Sequence, residues 1–111
     1  MSTLSTHVLD AVSGLPATGV RVALHRRNGQ GWQPLGEAVT DDDGRVRDLA
    51  PGGLGAGVYR LVFATGDYFA ATGRSGFYPE VPVVFEVTDP GRHHHVPLLL
   101  SPFAYSTYRG S

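Results

Sequence analysis

The feature that most constrains this chain is a period of two. Short runs rich in β-branched, aromatic and aliphatic residues alternate apolar with polar positions, and glycines and prolines spread along the whole length break them. Successive side chains of a strand point to opposite faces, so such runs have one face to bury and pair into sheets that stack on each other. His7 to Leu9 reads as a first strand. Gly19 to Arg27 reads as a second, with Val20, Val22 and Leu24 on its inner face, and Gln33 to Thr40 as a third, entered through Asn28-Gly29-Gln30-Gly31 with Trp32 at its start. Arg45 to Leu49 can form a short strand. Val58 to Thr65 places Tyr59, Leu61 and Phe63 on one face and is expected to lie centrally, and Val81 to Thr88 aligns Val83, Phe85 and Val87. The one expected helix is Asp67 to Gly73, with Asp67 capping it and Gly73 ending it.

The C-terminal part follows the same period. Between His93 and Leu100, Val96, Leu98 and Leu100 share a core face, so His93, His95 and Pro97 lie on the other and His94 faces the core. Phe103 to Tyr108 can form a last strand. By the same parity His7 lies on the outer face if Val8 enters the core. The 111 residues amount to one core and one domain, residues 1–111.

Composition narrows the chemistry. A formal charge of -1 with 17% charged residues offers no electrostatic pull toward nucleic acid or anionic lipid. No apolar stretch approaches the ~20 residues of a membrane helix, nothing at the N-terminus has the form of an export signal, and the cytoplasm is the expected compartment. There is no cysteine, which excludes thiolate chemistry, and all nine Lys+Arg residues are arginine, which excludes Schiff-base and Ser-Lys chemistry. Histidine is left as the proton carrier near neutral pH.

Three adjacent histidines on a strand cannot converge on one ion, so His93-His94-His95 is not read as a metal site. No nucleophile elbow supports a Ser-His-Asp triad, and no separated carboxylate pair supports glycosidase chemistry. Asp41-Asp42-Asp43-Gly44 is a turn, and Arg45 beside it is expected to pair with Asp43 or with solvent. The terminal Tyr108-Arg109-Gly110-Ser111 admits two readings: a frayed tail, or a wall of hydrogen-bonding groups for a planar polar ligand, with Gly110 allowing close backbone approach.

Four blocks in order, Leu4-Ser5-Thr6-His7-Val8-Leu9-Asp10, Asp43-Gly44-Arg45, His95-Val96-Pro97-Leu98-Leu99-Leu100-Ser101-Pro102 and Tyr105-Ser106-Thr107-Tyr108-Arg109-Gly110-Ser111, resemble the 5-hydroxyisourate hydrolase family over essentially the whole chain. The resemblance implies an all-β, prealbumin-like sandwich of two antiparallel four-stranded sheets with one short helix, assembled as a homotetramer, a dimer of dimers. It implies hydrolysis of the small molecule 5-hydroxyisourate in urate degradation, a step of purine catabolism, without metal or organic cofactor. The implied catalytic residues are His7, Arg45 and His95, and the implied substrate-binding residues are Tyr108, Arg109, Gly110 and Ser111. Related transthyretin carriers have lysine, glutamate and two threonines at the positions of His7, Arg45, His95 and Tyr108, and lack the Arg-Gly-Ser ending. The family's pattern often has tyrosine where this chain has His94 and glycine near Ala104.

Overall fold

A computed structural model of the protein describes residues 3–110. Nine strands and one helix follow in order: β1 (Leu4–Asp10), β2 (Leu15–Pro16), β3 (Arg21–Asn28), β4 (Gly31–Val39), β5 (Arg45–Val46), β6 (Gly57–Phe63), α1 (Thr65–Ala71), β7 (Val81–Val87), β8 (His94–Ser101) and β9 (Ala104–Thr107). They form the sandwich with one short helix that the resemblance implies. One sheet runs β4-β3-β6-β7 and is antiparallel throughout. Its inner face is the predicted one: Val22, Leu24, Tyr59, Leu61 and Phe63 are all buried, and β6 lies inside the sheet.

The other sheet is richer than two antiparallel sets of four. Its order is β2-β1-β8-β9, with β5 also paired to β1, so it has five strands, and β1 and β8 run parallel. The period of two fixes which face a residue takes but says nothing about its partner strand, and the two-residue strands β2 and β5 are too short to show any period. The parity itself holds. Leu4, Thr6, Val8 and Asp10 are buried on β1, and His94, Val96, Leu98 and Leu100 on β8. His7 and His95 are therefore on the outer face, half-buried.

The helix begins earlier than Asp67, which sits in its first turn and does not cap it. The N-cap position is Ala64, without a side-chain cap. Tertiary bonds set this start: buried Thr65 donates its hydroxyl to the carbonyl of Tyr78 at 2.9 Å, and the Gly66 amide donates to that of Pro79 at 2.9 Å. Behind the helix, the Asp10 carboxylate accepts from Arg74 at 2.5 Å, from the Tyr68 hydroxyl at 2.9 Å and from the amides of Val12 and Ser13. This buried acid ties the end of β1 to the helical segment.

Candidate active site

The outer face of β1, β5 and β8 is where the predicted polar residues gather. Register places His7 opposite Arg45 across the antiparallel β1–β5 pair, and Ser5 opposite His95 across the parallel β1–β8 pair. Arg45 is delivered there by the acidic turn. Asp41 Oδ1 accepts from the amides of Asp43 at 2.9 Å and Arg45 at 3.0 Å, which lowers the Asp41 pKa. Gly44 has φ 73°, and its carbonyl accepts from the Val8 amide at 2.7 Å. A Cβ at Gly44 would overlap the Val8 carbonyl oxygen, so only glycine lets the turn lie this close to β1. The acidic run is thus a turn device, as expected, but its ion pair differs: Asp43 meets Arg47, at 3.6 Å.

Arg45 and His95 line one hollow of about 260 Å³ together with Ser5, His93 and Arg47. Burial pushes the His95 pKa below its ordinary value. The charge of Arg45, and then His93 and His7, lower it further. A neutral imidazole beside a guanidinium can take a proton from water while the cation faces a developing oxyanion. His7 does not line this hollow, but it faces Arg45 directly and is near enough to act on His95 electrostatically.

The chain end reaches the same imidazole from the other side. The Gly110 amide donates to the carbonyl of His95 at 2.9 Å, an antiparallel bridge beyond the end of β9. A Cβ at Gly110 would overlap His95 Cδ2, so the backbone there lies against the ring. Tyr108, 60% exposed, and Arg109 line a second hollow of about 310 Å³ with His95, Val96 and residues Val83 to Glu86 of β7. Of the implied residues, Arg45 therefore lines one hollow, Tyr108 and Arg109 line the other and His95 borders both, while His7 and Gly110 line neither. Ser111 lies outside the described residues.

The histidine tract separates as its parity requires. His94 is buried and bonds through Nδ1 to the carbonyl of Arg92 at 2.9 Å, while exposed His93 shares the Ser5 hydroxyl with His95. Among the described residues, no set of three His, Cys, Asp or Glu side chains is grouped to hold a metal ion. Ser5 has no role in the sequence reading, although the parity that exposes His7 exposes Ser5 two residues earlier. His25 lies apart on β3, where its Nδ1 accepts from Arg60 Nε at 2.9 Å.

A model of the HIUase/Transthyretin family matches residues 4–110. The chain is 50% identical over 115 residues to a 5-hydroxyisourate hydrolase of Caulobacter vibrioides, covering 100% of both. Its fold superposes on a Klebsiella pneumoniae 5-hydroxyisourate hydrolase with a TM-score of 0.89, at 40% identity and 98% and 99% coverage of the two chains. It is also similar to sea bream transthyretin solved in complex with thyroxine, with a TM-score of 0.90, 35% identity and 96% and 93% coverage. Since a 5-hydroxyisourate hydrolase and a thyroxine-bound transthyretin share this fold about equally well, the fold does not decide the function, and the site must.

Proposed function

The chain belongs to the HIUase/Transthyretin family, and from that premise we propose that it is a hydrolase that opens the cyclic amide of 5-hydroxyisourate to give 2-oxo-4-hydroxy-4-carboxy-5-ureidoimidazoline. The observation that carries this reading over that of a carrier is the placement of the His95 imidazole, bordering the same hollow as Arg45 and lying against Gly110. A carrier has no use for a base poised in this way.

In the proposed mechanism His95, aided by His7, takes a proton from water as the oxygen attacks the amide carbon. Arg45 stabilises the negative charge that forms on the carbonyl oxygen and keeps the imidazole neutral beforehand. Collapse of the tetrahedral intermediate breaks the ring C–N bond, and the proton taken from water goes to the departing nitrogen. Arg109 offers its planar fork to the ureide edge of the substrate, Tyr108 and Gly110 complete that wall, and Ser111, outside the described residues, is assigned to substrate binding with them. Each of these roles is part of the proposal.

The same reading includes a homotetramer, a dimer of dimers. It is supported by two sheet edges, β7 and β9, whose outer backbone groups have no strand partner among the described residues, and by exposed Val84 and Tyr105 on them. It is supported too by a site on an outer sheet face, which assembly would enclose. Light scattering after size exclusion is expected to return about four times the 11.8 kDa chain mass. We place the reaction in the cytoplasm, which fractionation of source cells would check.

The decisive experiment follows the ultraviolet absorbance of freshly generated 5-hydroxyisourate. The protein is expected to accelerate its decay. Decay no faster with the protein than without it would sink the hydrolase reading.

A further inference from the structure

The outer face holds a hydrogen-bonded chain that the mechanism above does not use. Ser5 Oγ lies 2.8 Å from His95 Nδ1 and 2.9 Å from His93 Nε2, and the other ring nitrogen of His93 meets Thr3 Oγ1. Four side chains from two strand regions are therefore linked in the order Thr3, His93, Ser5, His95. The end at His95 is half-buried, whereas His93 and Thr3 are exposed.

Proton counting makes this chain directional. A hydroxyl has one proton to donate, and a neutral imidazole carries one N–H and one bare nitrogen. If Ser5 donates to His93 Nε2, then His95 donates from Nδ1 to Ser5, and its Nε2 is bare. His93 in turn carries its proton on Nδ1 and donates it to Thr3. If every bond is reversed, His95 Nε2 carries the proton and cannot act as a base. The direction of two hydrogen bonds thus decides whether His95 can do what the hydrolase mechanism asks of it.

We propose that Ser5 and His93 are positioning residues for His95, holding it as the Nδ1–H tautomer and carrying that proton away to exposed His93 when Nε2 is protonated. This rests on the hydrolase reading. As water attacks, its proton goes to His95 Nε2. The Nδ1 proton passes to Ser5 Oγ while the Ser5 proton passes to His93 Nε2, so the positive charge leaves a ring faced by Arg45 and His7 and comes to rest at the exposed one. When Nε2 then gives its proton to the departing nitrogen, Ser5 returns a proton to Nδ1 and takes one from His93. Every group ends as it began.

Two measurements test this. Long-range ¹H–¹⁵N correlation spectra report which nitrogen of His95 is protonated, whether or not substrate is present. The wild type is expected to show Nδ1–H with Nε2 bare, and Ser5→Ala to shift toward Nε2–H. In turnover, Ser5→Ala and His93→Gln are each expected to lower kcat about tenfold with little change in KM. The double variant is expected to fall no further than either one, since one chain is cut in both, and Ser5→Thr is expected to restore both the tautomer and the rate. An unchanged His95 tautomer in Ser5→Ala, or an unchanged kcat in both single variants of an active enzyme, overturns the relay alone. A wild type that does not accelerate the decay of 5-hydroxyisourate brings down the hydrolase reading on which the relay depends.

Discussion

Gly110 and His95 are joined twice: by the 2.9 Å hydrogen bond from the Gly110 amide to the His95 carbonyl, and by contact of the glycine backbone with the imidazole ring. The last described residue of the chain is thereby joined to the sheet that carries His95. Tyr108 and Arg109, just before it, are held along the second hollow by the same tether. A chain end ordinarily frays because nothing repays its lost conformational freedom. Here the bridge lies beyond the four residues of β9, so the strand and the bridge together hold the chain as far as Gly110.

Gly110→Ala is expected to lower kcat/KM by about 10²-fold, because the added Cβ must displace the ring or the tether, and misplacing a catalytic group by about 1 Å costs that order of rate. The melting temperature is expected to stay close to that of the wild type, since Gly110 contributes one bridge at the edge of the fold. Wild-type kinetics in the alanine variant would mean that His95 does not need its present position.

Removing Arg109 to Ser111 is expected to impair turnover far more than folding. The deletion takes away the bridge and the guanidinium beside the second hollow but leaves every buried core residue in place. Circular dichroism melts and the absorbance assay on the same preparation separate the two effects. Equal losses in both would make the terminus a structural element instead.

The facing of residues could be read from the sequence because the period of two is a local property. It places His7, His93 and His95 outward and His94 inward without any knowledge of the fold. Pairing is not local. Nothing in Leu4–Asp10 or His94–Ser101 announces that these strands run parallel, and so nothing sets Ser5 opposite His95. The helix start eluded the sequence for a similar reason, as it depends on bonds to the carbonyls of Tyr78 and Pro79. The catalytic assignment of Arg45 came from resemblance, and its location from a turn whose acidic residues bind backbone amides.

Activity is expected to fall on the acid side at a lower pH than an ordinary histidine would give, since burial, Arg45, His93 and His7 all favour neutral His95. Arg45→Gln removes one of these repulsions, so the His95 pKa rises and the acid limb of the pH–rate profile moves to higher pH. Arg45→Lys retains the charge and is expected to leave the limb where it is. A limb that does not move in Arg45→Gln would remove Arg45 from the control of His95.

Asp10 is expected to contribute to the acid sensitivity of the fold. Its carboxyl is 1% exposed, and burial alone would raise its pKa; the bond from Arg74, with those from Ser13, Tyr68 and Val12, outweighs burial and lowers it from 3.8 to about 2. The folded state thus binds this proton less tightly than the unfolded chain does. The resulting stabilisation, roughly 2 kcal/mol, is present in full above the unfolded value and disappears as pH falls through the folded one. Asp10→Asn removes the charge, leaves Arg74 without its carboxylate, and is expected to destabilise the protein by about 2 kcal/mol near neutrality. Urea unfolding at fixed protein concentration between pH 7 and pH 2 checks both effects. The wild type and the variant are expected to converge on the acid side, and curves that stay parallel to pH 2 would show that the Asp10–Arg74 pair does not carry the acid sensitivity.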